Sequence, residues 1–456
     1  MAIGAAATGA TMNWLGRMTR ALLSGGPLWN LPVVAMAGAI VAARLVRWID
    51  DRTRWTLLGF GVEGARTVLG ALGGSLLTFI VFAFSILLLS VQIASGQLSP
   101  RVINRVFEAR STALTIAAFV FSWVFSLAAV GRVEERVPQL SVALALALSI
   151  ASVALFVFLV QSASKALRPV TILTGIANDT RAVIEAVYPE SFSEDREPQT
   201  THALQAQQAA RTIRYPGRSG VVLALDVDAI VRAAVSADCV VEVVPMVGDF
   251  LAVGEDLFRL HGRGASSADE QALLRGIALG AERTLDQDPT FGFRIIVDIA
   301  AKALSPAIND PTTAVLAIDQ LHHLLQLLGQ KQLDSGQFRD AAGQVRLAYR
   351  TPDWQDFVTL AGTEIRLYAG LSPQVTRRLQ AMFERLLLAV PRRRSAEISE
   401  QISLLRGAVD RTFIDPRERA IASAADLQGF GSRTPSKTEA EVPAGGAGSA
   451  ATRARG

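Results

Sequence analysis

Between Arg66 and Arg101 the chain carries no charged side chain, and it carries none again over residues 111–131 and 137–164. A helix rises about 1.5 Å per residue, so roughly 20 apolar residues cross a hydrocarbon core about 30 Å thick, and each stretch suffices. The first third of the chain is therefore expected to be a bundle of transmembrane helices. A further segment, residues 28–48, is apolar but interrupted by Asn30 and Pro32, and its solidly apolar part runs only from Val33 to Ala43. The expected spans are 28–48, 72–95, 112–131 and 139–162. Three spans are the alternative, with the first segment lying at the interface.

Beyond the bundle the composition becomes that of a globular protein. Hydrophobic residues make up 50% of the 456, and most of the excess lies before residue 165. The formal net charge is +4, and there is no basic stripe interleaved with aromatics, so no nucleic-acid partner is expected. A single cysteine, Cys239, excludes an internal disulfide and favours a reducing compartment. Arginines and lysines flank the spans almost equally on the two sides, so the orientation rule decides nothing. The plasma (inner) membrane, with the soluble domain on the cytoplasmic face, is the expectation from the lone cysteine and the domain size.

The expected architecture is an α-helical transmembrane bundle followed by a mixed α/β soluble domain with a small β half-barrel and a helical subdomain. Its expected divisions are an N-terminal segment (1–27), the bundle (28–164), an exit helix and connector (165–213), a β-rich half-barrel-like domain (214–262), a helical domain (263–420) and a disordered tail (421–456). The strand reading rests on β-branched runs at Gly220–Leu225, Cys239–Pro245 and Leu257–Leu260, separated by Gly217, Gly248 and Gly254. The tail is rich in Ala, Gly, Ser and Pro and too poor in large apolar side chains to offset the entropy of ordering.

Within the spans, Ser75, Thr78, Ser85 and Gln92 share an arc of the second helix, and Thr115, Ser122 and Ser126 share an arc of the third. One reading is helix contact, since small and hydroxylated residues let membrane helices approach closely; Gly70 and Gly74 form such a pair. The other is a polar pathway lined by the second and third spans of a homo-oligomer and gated by the soluble domain. Residues 96–110 read as an interfacial amphipathic piece.

The densest polar motif is Asp286-Gln-Asp-Pro-Thr-Phe-Gly, followed by Ala303-Leu-Ser-Pro-Ala-Ile-Asn-Asp-Pro-Thr-Thr-Ala. Asp288 and Asp310 each precede a proline and are placed to cap two helices joined by a rigid loop. Asp286, Asp288, Arg294, Asp298, Ser305, Asn309 and Asp310 also form a candidate ligand or partner site, because carboxylates beside an arginine and an amide can bind a cation or move a proton. Against this stand the two caps and an Arg294–Asp298 pair at i,i+4. His322 and His323 are adjacent and cannot chelate from one helix face, so no metal or cofactor is expected. Ser305 has no histidine nearby in sequence and Cys239 lies in an apolar run, so no reaction is expected either. Trp354, Phe357, Leu360, Ile365 and Tyr368 read as core, and Arg392 to Arg394 as a solvated linker.

The glycine spacing from Gly220 through Gly248 to Gly254 resembles the half-barrel of biotinyl and lipoyl carrier domains, although the carrier lysine is missing. The Asp286 and Ala303 motifs, the Gly248-Asp-Phe turn and Ser99-Pro-Arg together make the chain resemble a bacterial membrane protein family, domain of unknown function 2254, from about residue 28 to 415. The resemblance implies a multi-span membrane protein with a soluble C-terminal domain and no established activity. A membrane-tethered sensor or scaffold is the alternative to the channel or transporter.

Overall fold

The computed structural model describes residues 30–53, 59–97, 110–131, 133, 137–194, 208–370 and 372–431. Four helices are long and apolar enough to cross a bilayer: α1 (Asn30–Thr53), α2 (Val62–Gln97), α3 (Arg110–Val130) and α4 (Gln139–Ala166). The first segment is thus a full helix of 24 residues. Pro32 falls in its first turn, where backbone N–H groups have no intrahelical partner and a missing one costs little. The segment's length and composition make it a fourth candidate span, and the helix that holds the expected second span already begins at Val62. At 36 residues α2 is about 54 Å long, well beyond the roughly 30 Å of hydrocarbon.

α3 is the central helix, packing against α1, α2 and α4. Phe119 and Phe125 are buried, whereas Val33, Val34, Val41 and Leu45 of α1 and Val81, Phe82 and Leu88 of α2 face outward, as lipid contact requires. Gly73 lies beside Leu127 of α3, with room for a Cβ at ordinary contact distance, while Gly70 and Gly74, the expected contact pair, face open space. At one end of the bundle three polar side chains fasten the loops. Asp50 of α1 is buried and accepts from the backbone N–H groups of Leu140 (2.9 Å) and Ser141 (3.0 Å) and from the Ser141 hydroxyl (3.0 Å). It therefore caps α4, whose own N-cap residue, Pro138, supplies no side-chain bond. Arg66 donates twice to the Val133 carbonyl (3.0 and 2.6 Å), and Gln139 donates to that of Phe60 (3.3 Å).

After α4, only Leu167 and Arg168 intervene before α5 (Pro169–Val187). The expected exit helix packs into the helical core, and residues 195–207 of the expected connector lie outside the described residues. Ile172, Leu173, Ile176 and Ile184 are buried with the faces of α8 (Pro289–Ala303) and α9 (Pro311–Leu328). The same core takes in α10 (Trp354–Ala369), α11 (Pro373–Ala389) and α12 (Ser395–Thr412) through Trp354, Phe357, Ile365, Phe383 and Leu405. Tyr368, expected inside, is half exposed.

The strands among the described residues form two sheets and no closed barrel. β1 (Arg211–Arg214), β3 (Val240–Val243), β5 (Asp256–His261), β7 (Gln337–Arg339) and β8 (Val345–Tyr349) make a sheet in the order β1-β5-β3-β8-β7. β2 (Gly220–Leu225), β4 (Phe250–Leu251) and β6 (Ile277–Gly280) make the other, in the order β4-β2-β6. α6 (Val227–Ser236) covers the first sheet through Ile230 and Ala234 against Val241 and Leu347, and α7 (Glu270–Arg275) lies beside α6. The expected glycine turns exist, with Gly248 at φ 95° and Gly254 at φ 84°. What a local reading misses is β6, β7 and β8, which return from the segment assigned to the helical domain; β8 pairs with β3 in parallel, Val241 opposite Leu347. The boundary at residue 262 therefore does not separate two domains.

The helix α13 (Pro416–Ser423) and residues 424–431 fold onto α11, where Arg377 donates to the carbonyls of Ala424 (3.1 Å) and Gly431 (2.9 Å). The tail expected to begin at residue 421 is ordered at least to Gly431; residues 432–456, like the expected interfacial stretch 98–109 with its Ser99-Pro-Arg motif, lie outside the described residues.

Candidate functional site at the junction of the helical core and the sheets

Each residue of the Asp286-Gln-Asp-Pro motif after the first has a structural task. Asp288 is buried and caps α8, accepting from the Phe291 N–H at 3.1 Å and from the Thr290 hydroxyl and the Arg283 guanidinium. Arg283 also donates to Thr290 (2.9 Å) and lies against the bare Cα of Gly248, where a Cβ would overlap its guanidinium. Gln287 satisfies both backbone groups of Leu225 at the end of β2, accepting at 3.1 Å and donating at 3.5 Å. Gly292 lets α8 meet α5, because a Cβ there would overlap Thr180. The motif thus fastens the three-stranded sheet to the helical core. Asp286 itself is exposed.

The second motif closes a helical hairpin. Asn309 adopts φ 47°, a conformation that asparagine tolerates better than most residues, and its N–H reaches the Ser305 carbonyl at 2.9 Å. The Asp310 N–H reaches Ala303 at 2.7 Å, and its carboxylate caps α9 through Thr313, at 3.1 Å to the N–H and 2.5 Å to the hydroxyl. Ser305 donates to the Lys302 carbonyl at 2.7 Å. Asp288 and Asp310 consequently sit at opposite ends of the 15-residue α8, about 20 Å apart, so the candidate residues are not gathered into one site. Arg294 and Asp298 pair as expected (2.6 Å), and Arg294 also forks onto Glu364 of α10 through both terminal nitrogens, which holds the Glu364 carboxyl below its usual range. Among the described residues no group of three or more His, Cys, Asp or Glu stands together as a metal site.

Sequence reasoning missed a polar cluster at the end of α5. Tyr188, the residue that ends α5, is buried; the Tyr349 hydroxyl of β8 donates to Asp334, and the Tyr349 backbone N–H donates to the Gly336 carbonyl at 2.8 Å. Burial raises both phenols, and the neighbouring Asp334 carboxylate raises them further, while a hydrogen bond with Thr351 partly opposes this at Tyr188. Asp288 also acts on Tyr188 electrostatically. The end of the exit helix, the first motif and the edge of the five-stranded sheet therefore converge. The only signal in the chain was a tyrosine at a helix end before Pro189, which does not announce partners as distant in sequence as Asp334 and Thr351.

In the bundle the two expected polar arcs face different ways. Ser75, Thr78, Ser85 and Gln92 of α2 are exposed on the outer face, with Thr78 and Ser85 bonded to carbonyls four residues back (3.1 and 2.9 Å). Thr115, Ser122 and Ser126 of α3 are buried inside, where Ser152 of α4 donates to Ser122 at 3.1 Å. Within one chain the two arcs line no shared path. Arg394, assigned to a solvated linker, is buried and donates to the carbonyls of Leu328, the last residue of α9, and of Lys331 just beyond it (2.8 Å each). Burial pushes its pKa down to about 10.

Four apolar helices followed by a mixed α/β domain define an integral membrane protein with a large soluble portion. A family model described as a predicted membrane protein (DUF2254) matches residues 26–385, and the chain belongs to that family. Uncharacterized proteins of Mycobacterium bovis and of two Mycobacterium tuberculosis strains are 30% identical over 421 residues, covering 88% of this chain and 79% of theirs. No solved structure matches.

Proposed function

We propose that the protein is a membrane-tethered binding module, in which the soluble domain takes a ligand or partner on the cytoplasmic face and passes the change to the bundle. One observation carries this reading: α4 and α5 are separated by two residues, and α5 is a core helix of the soluble domain that ends in the Tyr188 cluster. A shift of the sheets at Tyr349 therefore bears on α5, and through it on α4, which Asp50 ties to α1. Packed cores respond to such shifts by moving as bodies. The reading assigns binding rather than catalysis.

Hydrogen exchange of the full chain in nanodiscs tests it. Tyr188→Phe and Asp334→Asn should raise exchange in β8, in α5 and in the last turns of α4. A change confined to β8 and the 334 loop contradicts the reading.

A second reading, an oligomeric pathway, has one observation in its favour: the outward hydroxyl arc of α2, which further copies could cover. Ion flux in liposomes separates the two, because the tethered module conducts nothing under a voltage or pH gradient.

A further inference from the structure

α9 and α11 run side by side, with Gly429 of the C-terminal segment near both Val315 and Arg378 at one end and Gly329 against Val390 at the other. Beside this seam stand Arg378, Arg385 and His322, with His323 about 100° further round α9. Arg378, nearly buried, donates from Nε to Asp319 at 2.6 Å and from Nη2 to the Nδ1 of His322 at 3.3 Å. A guanidinium only donates, so Nδ1 accepts, and the imidazole must carry its proton on Nε2. That second nitrogen has no protein partner among the described residues and is not sealed from solvent. Arg385, two helical turns beyond Arg378, is exposed and acts on the same imidazole, as does the exposed His323.

We propose that this face is a binding site for a phosphate-bearing anion, whether a free phosphate or a lipid headgroup. Arg378 is held in place by Asp319, so its guanidinium and the Nε2–H of His322 are oriented before a ligand arrives, which reduces the entropy lost on binding. Arg385 supplies the mobile charge and a second fork of donors suited to phosphate oxygens. Asp319 and Glu384, the latter engaged by the Gln380 amide at 2.6 Å, match the two arginines in formal charge, so the site rests on its oriented N–H donors rather than on a charge excess. His322 is neutral there, since burial, with help from Arg378 and Arg385, pushes its pKa down to about 4, so it offers the anion an N–H without a charge of its own.

The inference deepens the tethered-module reading by naming the chemistry of its ligand, and it rests on that reading for its role. The test is titration of full-length protein in detergent with inorganic phosphate and with pyrophosphate, followed by calorimetry and by the ring resonances of labelled His322. In parallel, exchange in α11 is compared between nanodiscs of phosphatidylcholine alone and nanodiscs containing phosphatidic acid. Saturable binding in detergent that moves the His322 resonance identifies a free anion; protection of α11 only with phosphatidic acid identifies a headgroup. Either outcome should weaken about tenfold in Arg385→Gln and recover in part in Arg385→Lys, with the thermal midpoint unchanged because Arg385 is exposed. No saturation by either anion together with no dependence on the acidic lipid overturns the site. The coupling between α5 and α4 is read by a separate measurement and survives that failure.

Discussion

Asp50 is the polar residue whose placement most shapes the bundle. It occupies the N-terminus of α4, where unpaired N–H groups and the helix dipole both favour an anion, and it does so from another helix. Asp50→Asn should lower resistance to SDS unfolding by about 1–2 kcal/mol, and Asp51→Asn, on an exposed carboxylate, by much less. At Gly292 the constraint is space. Gly292→Ala should destabilise by about 1–3 kcal/mol in thermal unfolding, and pairing it with Thr180→Ala should recover most of the loss, because the overlap is with that hydroxyl and its methyl. His322 titrates at about 4 in the fold and at 6.5 when free. Between those values the unfolded chain binds a proton that the folded chain does not, so the stability tied to this group is complete above 6.5 and is lost as pH falls toward 4. His322→Gln should flatten the fall in denaturation midpoint over that window; an unchanged slope contradicts the assignment.

Helix ends were the most legible elements, for a local reason. Asp288-Pro289 and Asp310-Pro311 put an acceptor and a proline where the first turn needs them, and both caps form. The spans were equally legible, because a lack of charge over the length of a bilayer crossing has few other meanings. The sheets were not, since β3 finds β8 across all the chain from Val243 to Val345 and nothing in either strand records the other. For the same reason the half-barrel was drawn from local glycines alone. Arg394 shows the limit from the other side: three consecutive arginines look solvated, yet one stacks on Phe192 and Trp354 and closes the end of α9. Arg394→Ala should cost about 2–4 kcal/mol in thermal unfolding, by stranding those carbonyls and emptying the space, while Arg392→Ala should change the midpoint little.

At the scale of the molecule, the bundle and the soluble domain meet through very little chain. Leu167 keeps a helical conformation and Arg168 is extended, so the turn from α4 to α5 consists of these two residues. Everything proposed about transmission depends on that turn being stiff in a bilayer. Cys239 is buried, so cysteines introduced at Ser164 and Asn178, both exposed, can be spin-labelled selectively. The deciding measurement is the distance distribution between those labels in nanodiscs. A single narrow distribution that broadens when glycines are inserted between Leu167 and Arg168 is the predicted result; a broad distribution in the unmodified chain, indifferent to the insertion, contradicts it.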